Sequence, residues 1–165
     1  MSVSKKICLL GSVSVGKTSL IRRFVKGIFS DKYLTTVGVK IDKKVVEAAS
    51  REVTLILWDL AGEDEFAQLQ TSYLRGTAGY LLVVDGTRPE TLDKVIELQL
   101  RAHNAVGEVP FILALNKADL REDWAVLEDR IEQLRARGWT VREASAKSGD
   151  GVDEIFTLLT ERLMP

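Results

Sequence analysis

The chain of 165 residues is close to the modal size of one domain and short of two, so a single domain over 1–165 is expected. An apolar fraction of 45% and a charged fraction of 28% match a folded globular protein and exclude a disordered or fibrous one. The 23 basic and 24 acidic side chains leave a net charge of −1, which gives no general field for nucleic acid or an anionic membrane. The single cysteine, Cys8, excludes an intrachain disulfide, and without a His/Cys cluster it makes no zinc site. Met1 to Lys6 is polar and carries no apolar signal core. No apolar run approaches the roughly 20 residues that a membrane helix needs, so a cytoplasmic protein is expected.

In chain order, Ile7-Cys8-Leu9-Leu10 reads as a strand, and a glycine-bounded loop leads to Leu20, Ile21, Phe24 and Val25 at helical spacing. Lys40 to Val53 alternates, which predicts an antiparallel edge hairpin turning around Ala48–Arg51. Leu55-Ile56-Leu57-Trp58 runs to Asp59, Tyr80 to Val84 runs to Asp85, and Phe111 to Leu115 runs to Asn116. Strands apolar on both faces belong to a parallel sheet covered by helices on each side. Leu92, Val95, Ile96 and Gln99-Leu100 fit one helix; Leu127, Ile131 and Leu134 fit another; Val152, Ile155, Phe156, Leu159 and Leu163 mark a last one. The fold class is α/β: three layers, a mostly parallel six-stranded sheet with one antiparallel edge strand, and about five helices. Ligands of such sheets sit beyond the carboxyl ends of the strands, where Asp59, Asn116 and the Gly11 loop fall.

Gly11-Ser12-Val13-Ser14-Val15-Gly16-Lys17-Thr18 fits G-x-x-x-x-G-K-[ST], after a strand and before a helix. In this motif the glycines let the backbone N–H groups, here from Gly11 through Ser14, Val15 and Gly16, turn inward on phosphate oxygens. The helix N-terminus at Thr18 and Ser19 stands behind them. Lys17 is expected to bridge the β- and γ-phosphates and the Thr18 hydroxyl to ligate Mg²⁺. Asn116-Lys117-Ala118-Asp119 ends an apolar strand, and Ser145-Ala146-Lys147 follows about a helix later. The Asp119 carboxylate can accept both N1–H and N2–H of guanine. Against adenine it would be desolvated and unpaired, a mismatch worth roughly 10⁴ in discrimination. Asn116 is expected to tie this loop to its neighbours, the Lys117 stem to lie against the base, and the Ala146 N–H to meet guanine O6. The base is therefore read as guanine, and an ATPase or kinase reading of the phosphate loop is disfavoured.

With these elements in order, the chain resembles a small GTPase of the Ras superfamily, most closely its Rab branch, from Lys6 to about Leu163. Thr36-Val37-Gly38-Val39, Trp58 before Asp59, and Tyr73-Leu74-Arg75-Gly76 carry the Rab-like character. The spacing from Asp119 to Ser145 leaves no room for the extra helix of the Rho branch. The resemblance implies a binary switch that binds GTP or GDP with Mg²⁺ and hydrolyses GTP. By position, Thr36 (with Thr35 as the neighbouring alternative) closes over Mg²⁺ and the γ-phosphate. Asp59 holds Mg²⁺ through a water, and the Gly62 N–H contacts the γ-phosphate. Phe29 packs on the guanine, and Tyr33 covers the phosphates. Ile41, Trp58 and Tyr73 correspond to the apolar and aromatic trio of the effector surface. A monomer with protein effectors and regulators is implied.

Two departures bear on catalysis. Glu63 follows the Asp59-Leu60-Ala61-Gly62 motif, where such GTPases carry a glutamine that orients the attacking water. A carboxylate lacks the amide donor and adds negative charge near an anionic centre. Val13 replaces a glycine or other small residue and crowds the γ-phosphate space. Slow hydrolysis is expected. The alternatives are that Asp64 or a partner positions the water, or that the protein is a nucleotide-dependent binding module with negligible turnover. Trp124 and Trp139 read as helix packing, His103 as a solvated helix residue, and Arg22-Arg23 as a solvated face. The final helix ends near Leu163, with no prenylated cysteine tail of the kind membrane-cycling Rab proteins carry. Either a tail was removed or the protein works without a lipid anchor, as a bacterial or archaeal relative would.

Overall fold

The computed structural model describes residues 3–27, 39–60 and 71–165. Six strands form one sheet: β1 (Val3–Leu10), β2 (Val39–Ala48), β3 (Arg51–Leu60), β4 (Gly79–Asp85), β5 (Phe111–Asn116) and β6 (Val141–Glu143). The spatial order is β2-β3-β1-β4-β5-β6, with β2 antiparallel to β3 and the other neighbours parallel. The described residues hold four α-helices: α1 (Lys17–Lys26), α2 (Glu90–Val106), α3 (Glu128–Ala136) and α4 (Val152–Leu163). Short 3₁₀ turns span Thr71–Leu74 and Arg121–Asp123. None of the described helices is long and apolar enough to cross a membrane.

Alternation along the central strands sends every second side chain to an opposite face, and both faces are covered. Ile7, Leu9, Leu55, Leu57, Leu81 and Val83 share one core with Leu20, Ile21 and Phe24 of α1 and Ile155, Phe156 and Leu159 of α4. On this side Phe24 stacks on Phe156 with ring centroids 4.1 Å apart. Cys8, Leu10, Tyr80, Leu82, Val84 and Leu113 share the other core with Leu92, Val95 and Leu98 of α2 and Ile131 and Leu134 of α3. Every residue of β4 is buried, as a central strand covered on both faces must be.

Four local expectations need correction. The inward stripe of α2 is Leu92, Val95, Leu98 and Ala102, while Leu100 is 59% exposed. The 3.6-residue period carries the stripe through 98 rather than the Gln99-Leu100 pair. Leu127 caps α3 rather than packing within it and is 65% exposed. Neither Trp124 nor Trp139 lies on a helix. Trp139 is buried just before β6, edge-on to Phe111 at 5.2 Å. Trp124 follows the second 3₁₀ turn and covers Gly86, where an added Cβ would run into the indole ring.

The β2–β3 turn falls where the alternation placed it, pairing Ala48 with Arg51. Both central residues have positive φ, 52° at Ala49 and 62° at Ser50. Positive φ at both positions suits the strand twist but favours Asn-Gly, not Ala-Ser. Left-handed backbone costs an L-residue roughly 1–2 kcal/mol, less when the residue is small and polar. Ser50→Gly is expected to raise the urea unfolding free energy by about 1 kcal/mol; an unchanged or lower midpoint would count against strain at this turn.

Candidate functional site

The parallel strands β1, β3, β4, β5 and β6 end side by side, so their carboxyl ends share one edge of the sheet. The loop from Gly11 to Gly16 leaves β1 and enters α1 through two left-handed residues, Ser14 at φ 65° and Gly16 at φ 104°. A Cβ on Gly16 would fall on the side-chain amide nitrogen of Asn116, so glycine is required there by space as well as by backbone.

Three successive carbonyls of this loop are taken by side chains from the β4 and β5 ends. Arg88 Nη2 donates to the Val13 carbonyl at 2.8 Å, Lys117 Nζ to Ser14 at 3.1 Å and Asn116 Nδ2 to Val15 at 2.9 Å. Behind them Asp85, almost fully buried, accepts Lys117 Nζ at 2.8 Å and Arg88 Nε at 3.0 Å. Its other oxygen takes the Thr87 N–H at 2.9 Å and hydroxyl at 2.7 Å. Burial pushes the Asp85 carboxyl up, but the hydrogen bonds from Lys117 and Thr87 outweigh it and hold it below the usual carboxylate value.

Lys17 starts α1 and is only 6% exposed. Its ammonium donates to the carbonyls of Gly11 at 3.3 Å and Ser12 at 3.1 Å. Burial lowers its pKa to about 8, against the attraction of Asp59 and with added repulsion from Arg88. A lysine so desolvated favours an anion beside it. The next residue, Thr18, donates its hydroxyl to Asp59 Oδ2 at 2.5 Å, and Asp59 is 1% exposed at the end of β3. A hydroxyl and a carboxylate oxygen together suit Mg²⁺, which takes few protein ligands and leaves its other positions to water and phosphate. Among the described residues no three His, Cys, Asp or Glu side chains cluster as a metal centre. Ser19 lies in the first turn of α1.

On the far side of Asn116, Asp119 Oδ1 accepts the Ser145 hydroxyl at 2.7 Å. Ser145 Oγ in turn accepts the Ser148 N–H at 3.1 Å, and the Ala146 N–H donates to Asn116 Oδ1 at 3.3 Å. The expectation of a solvated Arg23 is wrong. Its Nε donates to the Ala146 carbonyl at 2.8 Å and its Nη2 to the Lys147 carbonyl, so α1 braces the Ser145–Lys147 loop. Arg22 is half-buried, and His103 is exposed in the last turn of α2. Phe29, Tyr33, Thr36 and its neighbour Thr35, Gly62, Glu63 and Asp64 lie outside the described residues.

Sequence reasoning missed three residues that build this end of the sheet: Asp85, Arg88 and Arg23. Asp85 carried a signal, an acidic residue closing a wholly apolar strand. Arg88 and Arg23 carried none, because a lone arginine in a turn or helix is ordinarily a solvated one. In the edge hairpin, Ile41 pairs with Trp58 across the β2–β3 ladder, and the Trp58 and Tyr73 rings stand 6.3 Å apart. Ile41 is 48% and Tyr73 37% exposed. Lys6 places its ammonium 3.7 Å over the Trp58 ring and donates to the carbonyls of Tyr73 at 2.6 Å and Arg75 at 2.7 Å.

A strand, a glycine-bounded loop ending in Gly-Lys-Thr and a helix, beside a carboxylate at the end of the next strand, define an α/β protein of the phosphate-loop class. The Ras family model matches residues 6–165. Among curated proteins, Ras-related protein Rab-13 of Mesocricetus auratus is 34% identical over 96% of this chain and 79% of its own length. Ras-related protein SEC4 of Saccharomyces cerevisiae is 36% identical over 94% and 73%, and Ras-related protein Rab-4 of Dictyostelium discoideum 37% over 96% and 78%. The chain belongs to the Ras family, small GTP-binding switch proteins that hydrolyse GTP, and is Rab-like within it.

Arg23→Ala removes two charge-assisted hydrogen bonds to the Ser145–Lys147 loop. It is expected to cost about 1.5–3 kcal/mol of stability. Amide exchange of Ser148 and Gly149 is expected to speed up while that of β4 is unchanged; a loop as protected as in the wild type would count against the brace.

Proposed function

We propose that the chain, as one GTP-binding domain, binds GTP and GDP with Mg²⁺, reads guanine through Asp119, and hydrolyses GTP slowly. The observation that carries this reading is the fastening of the guanine-reading strand end to the phosphate loop, Asn116 to Val15 and Lys117 to Ser14. Base and phosphate readers in one rigid unit suit a ligand with both groups. In this reading the Gly11–Gly16 backbone and Lys17 hold the phosphates, and Thr18, Asp59 and Thr36 hold the ion. Gly62 touches the γ-phosphate, Phe29 and the Lys117 stem flank the base, and Tyr33 closes over the phosphates. Asp119, set by the Ser145 hydroxyl, accepts from guanine N1–H and N2–H, and the Ala146 N–H, whose contact with Asn116 Oδ1 is a long 3.3 Å, is shared with O6. Bound Mg²⁺ would supply charge neutralisation between the phosphates.

Hydrolysis is attack of water on the γ-phosphorus, releasing GDP and phosphate. The residue following Gly62 sets how well that water is held. Glu63 can accept a proton from it but offers no donor to the developing charge, and its own charge opposes the anion. Val13 adds a branched side chain to a loop already tied by Arg88. Glu63 and Val13 together also favour a second reading, a nucleotide-dependent binding module with negligible turnover. Multiple turnover under GTP and Mg²⁺ separates the two. The Ile41, Trp58 and Tyr73 patch suits an effector or regulator whose binding senses the nucleotide.

In single-turnover assays Glu63→Gln is expected to hydrolyse GTP at least several-fold faster than wild type; equal or slower hydrolysis would show that Glu63 is no handicap. Asp119→Asn is expected to weaken GTP binding by two or more orders of magnitude and gain affinity for xanthosine triphosphate. Unchanged GTP affinity in that variant, or ATP competing with labelled GTP at equal concentration, would remove Asp119 as the base reader.

A further inference from the structure

The Lys117 and Asn116 struts act on Ser14 and Val15, and Lys17 takes the Gly11 and Ser12 carbonyls, which leaves Val13 to another group. That group is Arg88, whose guanidinium spans from Asp85 Oδ2, 3.0 Å from Nε, to the Val13 carbonyl, 2.8 Å from Nη2. The arginine stands on a short segment with little freedom of its own. The Arg88 N–H donates to the Asp85 carbonyl at 2.9 Å, and its carbonyl accepts the Thr91 N–H at 3.0 Å and hydroxyl at 2.7 Å. One step earlier, Gly86 donates its N–H to the Asn116 carbonyl at 3.1 Å, and its carbonyl accepts the Ala125 N–H at 2.8 Å. Trp124 lies over Gly86 and leaves no space for a side chain there. Asp85 is buried and shared, holding Lys117 at 2.8 Å and Arg88 at 3.0 Å.

We propose that Arg88 is a positioning residue of the phosphate loop. It holds the Val13 carbonyl outward, and through their common carboxylate it couples that strut to the Lys117 strut on Ser14. A planar fork reaching two acceptors at once is a task for arginine, since lysine offers a single nitrogen at the end of a flexible stem. By fixing the Val13 carbonyl, the strut holds the loop in the form that receives a phosphate. The consequence is slow release of whichever guanine nucleotide is bound, which rests on the function proposed above.

Two measurements test this. In protein loaded with a fluorescent GDP analogue and Mg²⁺, Arg88→Ala is expected to release nucleotide roughly tenfold faster than wild type, the scale of one lost charge-assisted hydrogen bond. Arg88→Lys is expected between them, because one of the two contacts can be remade. In nucleotide-free protein, Arg88→Ala is expected to speed amide exchange across Ser12–Val15 while Ile112–Leu115 of β5 keep wild-type protection. Release at the wild-type rate in both variants overturns the proposal, and so does acceleration accompanied by a general loss of protection in β5. Unchanged loop exchange in nucleotide-free protein overturns the strut by itself, with no reference to nucleotide. Failure of the wild type to retain any guanine nucleotide overturns instead the function proposed above, and the exchange measurement still decides the strut.

Discussion

The contact between Asn116 and the Val15–Gly16 backbone is the constraint on which this end of the molecule depends. The amide nitrogen of Asn116 donates to the Val15 carbonyl at 2.9 Å, and its oxygen accepts the Ala146 N–H at 3.3 Å. One side chain at the end of β5 thereby joins the loop after β1 to the loop after β6. The approach is so close that residue 16 can carry no Cβ, and its φ of 104° would strain any L-residue besides. Asn116 is 2% exposed, so each of its polar groups must be satisfied by protein, and a partner lost on either loop leaves a buried polar atom unpaired.

Around that joint the charges are arranged by burial. Asp85 and Asp59 are each 1% exposed; Asp85 ends β4 and Asp59 is the last but one residue of β3. Asp85 is held anionic by Lys117 and Thr87, and it spends that charge on two basic side chains that in turn grip the loop. Asp59 sits against the Thr18 hydroxyl and within the field of Lys17. The first carboxylate is used up in structure, whereas the second faces the groups proposed to hold the ion. Lys17 differs again: burial lowers its pKa to about 8, and its present partners are neutral carbonyls. A strand end with one satisfied carboxylate, one carboxylate beside a hydroxyl, and one desolvated lysine is chemically prepared for an anion carrying a cation.

The fold was readable from the sequence because the central strands are apolar on both faces and end in polar residues; Tyr80 to Asp85 alone implies a sheet with two covers. The hairpin was readable from alternation, with a turn at Ala49-Ser50 that lacks the usual glycine. The side chains of the Gly11–Thr18, Asn116–Asp119 and Ser145–Lys147 motifs could be named because fixed spacing carries their chemistry, and the structure brings those segments and Asp59 to one edge. What spacing could not show is which ordinary-looking charges are drawn inward. Arg23 lies on a helix with a basic neighbour, and its sequence context is that of a solvated residue. Only the packing of α1 against the loop after β6 turns its guanidinium onto the Ala146 and Lys147 carbonyls. Arg88 is hidden for the same reason, since its role depends on a loop 75 residues away in the chain. The α2 stripe failed differently. Leu98 and Leu100 are equally apolar in sequence, and the helical phase alone decides which of them the sheet buries.

Two anchors hold the described chain that flanks residues 61–70. On one side Leu60 is paired in the ladder with Val39. On the other, Lys6 reaches across from β1 to hold the Tyr73 and Arg75 carbonyls while its ammonium lies over the Trp58 ring. Lys6 therefore fastens the exposed Tyr73 to the same sheet that carries Asp59 one residue beyond Trp58. The Trp58 and Tyr73 rings are thereby fixed beside the end of β3 that carries Asp59.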